Sequence, residues 1–200
     1  MASSKGSIGC EYYAPTPPFY QNGQGSSYDG ACHAVFVANT GAAPAHLTVR
    51  HGDVVLPVNN FSRIPKGQGQ DLAFVPYNNV AGLPVGEVAI LFLSRGPGNY
   101  PNCPAGPAVA EETQIAGTGR GRAFHITSDV PVAAYQTQPF GGGSGAVTAA
   151  TLLLPTSVWG TSYIGVNAGA AGPSGSPLLT VVAAEDGTHV RLRPKVAVIG

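Results

Sequence analysis

The chain has 200 residues, of which 44% are apolar and only 10% are charged, and its net charge at pH 7 is zero. This length and apolar content suffice for a hydrophobic core. The ten basic residues are scattered along the chain, so a nucleic-acid partner is not expected. No apolar run reaches the roughly 18 residues of a membrane-spanning helix, so membrane insertion is not expected either.

Residues 1–30 are aromatic, Pro-rich and irregular, which predicts an extended segment along a sheet edge. In residues 31–115, short apolar runs alternate with Gly-, Pro- and Asn-rich breaks, a rhythm typical of a β-sandwich or barrel. The predicted strands are HAVFVAN, HLTVRH, VVLPV, DLAFVP and EVAILFLS. The long Gly/Pro loop at 94–108 indicates a subdomain boundary near residue 115.

Residues 116–200 continue the β pattern and form the second predicted subdomain. The predicted strands are RAFHITS, PVAAYQTQ, AVTAATLLLP, SYIGV, LLTVVAA and THVRLRP. Asp186-Gly187 predicts a hairpin turn, and Ser128-Asp129 with Pro131 predicts a turn between two strands. The fold class is therefore predicted to be all-β, an antiparallel β-sandwich or two packed β-subdomains.

Both ends of the sequence lead us to expect a piece of a longer protein. The start, MASSKGSIGC, lacks the apolar core of a signal peptide. The end, KVAVIG, begins a new apolar run and stops inside it. We therefore expect the second subdomain to be truncated at its C-terminus.

Three cysteines, Cys10, Cys32 and Cys103, lie outside any CxxC pair, which argues against zinc or thioredoxin chemistry. Cysteines at loop edges of a charge-poor β-chain favour disulfides in an oxidising compartment. Cys10–Cys32 is the first predicted pair and Cys32–Cys103 the second. Three reduced thiols are the alternative.

No motif for catalysis, for a cofactor or for a metal ion is found. Ser144 lies in GGSGA, which lacks the final Gly of a GxSxG elbow. The five histidines occur singly, and the acidic pairs Glu111-Glu112 and Glu185-Asp186 read as solvated turns. A hydrolase stays an open but less favoured alternative, because the two acids of a glycosidase can be distant in sequence.

Aromatic residues are the candidate ligand contacts. Tyr12 and Tyr13 lie near the start of the chain, and Trp159 and Tyr163 lie in SVWGTSY. Aromatic side chains on a β surface stack on sugars or on partner side chains; the alternative is that these four cover the core or a seam between subdomains.

Three blocks resemble the N-terminal domain family of IgG Fc-binding proteins: ITSDVPVAAYQ, TAATLLLPTSVWGTSYIGV and LTVVAAEDGTHVRLRP. GCEYYA and VFVANTG are similar to the first strands of bacterial members. The resemblance implies an extracellular or cell-surface β-rich module that binds or adheres without catalysis.

The implied partner is an extracellular protein or glycan of unknown identity. Antibody binding is not carried over, since no residue of a defined Fc-binding motif is recognised in this sequence. The alternative role is a structural spacer that assembles larger proteins and self-associates through edge strands.

Overall fold

The structure is a computed structural model that describes residues 6–17, 30–97, 102–115, 117–141, 148–166 and 178–195. Within these ranges, nine strands form one antiparallel, curled sheet, which confirms the all-β prediction. Helical structure in the described ranges is limited to α1 (Val58–Phe61) and two 3-10 turns, Gly69–Asp71 and Thr156–Val158. None of these helices is long and apolar enough to cross a membrane.

The strands are β1 Ile8–Ala14, β2 His33–Ala38, β3 Leu47–His51, β4 Val54–Leu56, β5 Ser62–Lys66, β6 Ala73–Pro76, β7 Val88–Ser94, β8 Phe124–Gln138 and β9 Ala149–Leu153. Their order across the sheet is β4-β3-β8-β2-β7-β5-β6, and β1 and β9 also pair with β8. The predicted strands at β2, β3, β4, β6, β7 and β9 are confirmed. β5 was missed, because SRIPK is mostly polar, and β1 was expected only as an extended segment and through the resemblance of GCEYYA to a first strand.

β8 is the strand on which the sheet is built. Residues 124–128 pair with β3 and residues 133–137 with β2, whereas β1 pairs with residues 124–127 and again with Val132 and Ala133, and β9 pairs with residues 134–138. Between them, residues 129–131 have no partner in any ladder. The turn predicted at Ser128 to Pro131 is therefore a bend within one strand, at which β8 passes from β3 to β2 while β1 pairs with it both before and after the bend.

Tyr12 holds this bend from inside the core. Its hydroxyl donates a hydrogen bond to the carbonyl of Val132 and lies 3.1 Å from the carbonyl of Ser7. The side chain is 1% exposed, and burial raises the pKa of Tyr12 to about 12. The structure therefore places Tyr12, one of the predicted ligand contacts, in the core and not on the surface.

The inner face of the sheet encloses one apolar core to which both halves of β8 contribute. Phe124 and Ile126 come from the first half, and Val132 and Ala134 from the second. Strands from before and after residue 115 thus share one sheet and one core. The predicted boundary near residue 115 falls in the long connection between β7 and β8 and does not separate two sheets.

A smaller apolar cluster on the opposite face of β2 and β7 contains the disulfide, which joins Cys32 to Cys103. The first predicted pair, Cys10–Cys32, is wrong, and the second is confirmed. The reason is topological: Cys10 lies at the bulge of β1, and β8 separates β1 from β2. Cys10 is free and exposed.

Replacing Tyr12 with Phe should lower the free energy of unfolding by about 1–2 kcal/mol, because the Val132 carbonyl loses its hydrogen-bond donor. Urea denaturation followed by circular dichroism measures the change. Tyr135→Phe is the matched control, since Tyr135 lies on the outer face of the same strand. Equal losses in the two variants would contradict the role of Tyr12 at the bend.

Removing the disulfide with Cys32→Ala and Cys103→Ala should lower the free energy of unfolding by about 2–4 kcal/mol, because the bond closes a long loop in the unfolded chain. The two residues are 71 positions apart. Cys10→Ala should change stability by less than about 0.5 kcal/mol, since this thiol is exposed. A larger loss with Cys10→Ala than with the double variant would contradict the assigned pairing.

Candidate functional site

Four side chains form a row across the outer face of the sheet, and we call Arg50, His125, Tyr13 and Trp159 the aromatic row. In the strand register, Arg50 of β3 lies opposite His125 of β8, and His125 lies opposite Tyr13 of β1. Side chains alternate along a strand, so these three point outward while their neighbours enter the core. Trp159 follows the 3-10 turn Thr156–Val158, which packs beside β1.

The rings of the row are in contact. Tyr13 and His125 stack with centroids 4.5 Å apart and planes 7° apart. Trp159 lies on Tyr13 at 5.7 Å with a tilt of 45°. Its indole Nε1 donates to the carbonyl of Leu154 at 2.9 Å. The structure thus brings together Tyr13 and Trp159, two of the predicted contacts, and leaves both half-buried.

Glu11 binds His125 of the row and the turn that carries Trp159. Its Oε1 lies 2.8 Å from Nε2 of His125, and its Oε2 accepts a hydrogen bond of 2.5 Å from the hydroxyl of Thr156. The pKa of Glu11 lies below its ordinary value of 4.5, mainly because the Thr156 hydroxyl donates a hydrogen bond to the carboxylate. Partial burial raises this pKa, and the contact with His125 lowers it. One carboxylate therefore ties β8 and the 3-10 turn to β1.

Gly9 permits the turn to approach β1 closely. A Cβ atom at Gly9 would lie 2.4 Å from Cβ of Pro155, closer than real side chains pack. The residue must therefore be glycine unless Pro155 moves away, and such a movement would shift Thr156 and Trp159 with it.

Tyr163, the fourth predicted contact, is 71% exposed, and its hydroxyl accepts a hydrogen bond of 2.6 Å from the N–H of Gly160. The structure places it beyond the row, and the predicted strand SYIGV is not formed in its described part, residues 162–166.

The predicted turn at Asp186-Gly187 is formed, with Gly187 at a φ of 75°. It contacts the row, since the Tyr13 hydroxyl donates to the carbonyl of Ala184 at 3.3 Å. The two flanking strands predicted for residues 178–194 are wrong, because the segment pairs with no strand of the described ranges. Its apolar side chains Val181 and Val190 stay more than half exposed.

Other candidate chemistry is dispersed. No group of three His, Cys, Asp or Glu side chains in the described ranges could hold a metal ion. Glu111 and Glu112 line an open depression together with Pro97 and Pro107. Ser144 lies outside the described residues.

Sequence reasoning missed Arg50, His125, Glu11 and Thr156 as members of the site. These residues come from β1, β3, β8 and the turn after β9, and only the strand register brings them together. The available signal was the alternation of HLTVRH and GCEYYA, which places Arg50 and Tyr13 on outward positions.

Comparison with known proteins finds one family match, in the last part of the chain. Residues 149–200 match the model of the family described as IgGFc binding protein. This match supports the resemblance over that segment. The matched segment begins at β9 and includes Thr156 and Trp159, so it contributes one end of the aromatic row. No curated protein and no solved structure matches the chain.

Acid should release the turn that carries Trp159. The pKa of Glu11 in the folded protein lies below 4.5, so the ionised carboxylate stabilises the fold at any pH above 4.5. This stabilisation is lost when the pH falls through the folded-state pKa and the carboxylate is protonated. Emission of Trp159, the one tryptophan of the chain, should therefore change in this acid range. Glu11→Gln should shift the emission already at neutral pH.

The control for this titration is Glu87→Gln, which removes a surface carboxylate paired with Lys66, away from the row. It should leave the Trp159 emission at neutral pH unchanged. An emission spectrum of Glu11→Gln that coincides with the wild-type spectrum would show that Glu11 does not hold the turn.

Proposed function

We propose that this chain is a non-catalytic binding and adhesion module of an extracellular or cell-surface protein, and that it binds an extracellular protein through the aromatic row. The observation that carries the proposal is the row itself. Tyr, Trp and Arg are the residue types that supply most of the binding energy in protein interfaces. Arg50 and Tyr13 lie on the two strands that flank His125, Trp159 contacts Tyr13, and all three side chains keep exposed surface.

The fixed geometry of the row supports binding. Tyr13 stacks on His125 and contacts the tilted ring of Trp159, and Glu11 binds His125 and Thr156 through two hydrogen bonds. Rings that are already ordered lose little conformational entropy when a partner is bound.

The disulfide and the family match support an extracellular location and a protein partner. Disulfides such as Cys32–Cys103 persist in oxidising compartments outside the cytosol. The matched family is named for binding of the IgG Fc region, and its match covers the turn that carries Trp159. The Fc region is therefore the first protein to test as a partner.

The test is surface plasmon resonance of the chain against IgG Fc, mucins and bacterial polysaccharides, at physiological and at high salt. We expect saturable binding to a protein that persists at high salt, because the row is largely aromatic. Trp159→Ala should weaken it by at least about 30-fold, the effect of losing a contact worth about 2 kcal/mol.

Tyr163→Ala is the matched control, because it removes an exposed aromatic ring from the same segment outside the row. It should change the affinity by less than about threefold. Saturable binding to a polysaccharide and to no protein would contradict the protein partner and identify a glycan as the ligand. Equal losses with Trp159→Ala and Tyr163→Ala would contradict binding at the row.

A further inference from the structure

Among the residues that the structure describes, the outer edge of β9 is open. β9 pairs with β8 along one edge, and no strand in the described part of the chain pairs with the other. Residues 149–152 are exposed, and Leu152 and the following Leu154 are 54% and 50% exposed. An open strand edge offers unpaired N–H and C=O groups to another strand.

β9 also lacks the features that usually protect an edge. Natural edge strands carry charges, prolines or bulges, or are very short. β9 has the uncharged sequence AATLL over five residues, with no irregularity in its register with β8. By contrast, β4 has only three residues, β6 ends in Pro76, and the turn with Pro155 packs on β1.

The sequence of β9 is complementary to itself. In an antiparallel pair with a two-fold axis at Thr151, each Leu152 lies opposite Ala150 of the other copy and each Leu153 lies opposite Ala149. Large side chains thus meet small ones on both faces, and no charges oppose each other. A two-fold contact of this kind uses the same surface on both copies and closes on itself.

Apolar surface behind β9 continues toward this edge. Leu152 lies opposite Tyr135 on β8, and Tyr135 lies opposite Phe36 on β2. The rings of Tyr135 and Phe36 stack at 5.0 Å. Pairing two copies would extend this apolar band across the axis and cover both Leu152 side chains.

We propose that β9 pairs antiparallel with β9 of a second copy of this chain, about an axis at Thr151, so that one sheet runs through the dimer. The contact is small compared with standard protein interfaces, so the dimer is weak and depends on concentration. This self-association does not depend on a partner at the aromatic row, and it can hold or fail separately from the proposed function.

Thr151→Cys in a Cys10→Ser background tests the pairing and its register. Residues on the axis face each other at about 4.5–5.5 Å between Cα atoms, within the range of a disulfide. Mild oxidation should therefore give covalent dimers on non-reducing gels. Val55→Cys in the same background should stay monomeric, although Val55 is also exposed on an edge strand.

Ala150→Cys fixes the register, since in this pairing it faces Leu152 and not its own copy. It should crosslink at least tenfold more slowly than Thr151→Cys. Equal crosslinking of the Thr151→Cys and Val55→Cys variants would overturn the proposal.

Sedimentation velocity provides a measurement without introduced thiols. The Cys10→Ser chain should shift from monomer to dimer as its concentration rises, and Leu152→Lys should abolish the shift while Val55→Lys leaves it unchanged. A monomer at every concentration up to the millimolar range, or a dimer that persists in Leu152→Lys, would overturn the proposal.

Discussion

The bend of β8 at residues 129–131 is the constraint on which the rest of the sheet depends. Pro131 has no N–H to donate, so a regular ladder cannot continue through it. The Asp129 carboxylate instead accepts the N–H of His46 and contacts its ring, each at 2.7 Å, while Tyr12 binds the Val132 carbonyl. The backbone N–H of His46 is the main cause that lowers the pKa of Asp129. One bent strand thereby serves four neighbours and closes a single core.

Local sequence patterns sufficed for most strands but not for β8. Alternation in HLTVRH and the apolar run of EVAILFLS identify β3 and β7, because both sit on the core with ordinary ladders. The sequence Ser-Asp-x-Pro is equally compatible with a turn between two strands and with a bend inside one strand. The distinction depends on distant partners, His46 and Tyr12, which no local pattern reveals. For the same reason the long loop before β8 suggested a boundary, although the sheet continues across it.

The candidate site was predictable in part. Tyr12 and Tyr13 are adjacent, so only one can face outward, and the register that pairs Tyr12 with the buried Ile126 and Tyr13 with His125 makes it Tyr13. Trp159 reaches Tyr13 because Gly9 admits Pro155 and because Glu11 binds Thr156. These contacts join residues far apart in sequence, and they follow from the register of β1 on β8. The turn Thr156–Val158, which lies in the segment that matches the family, thus brings Trp159 into the row that we propose as the binding surface.

Amide hydrogen exchange in mild denaturant tests most directly whether β8 unites the fold. If β8 holds both parts of the sheet together, one global opening should expose the amides on both sides of the bend. These are the amides of residues 124–128 and 133–138 and of the partner strands β1, β3, β2 and β9. They should therefore show a common free energy. Two distinct free energies that divide at residues 129–131 would contradict the account and indicate two independently folding halves.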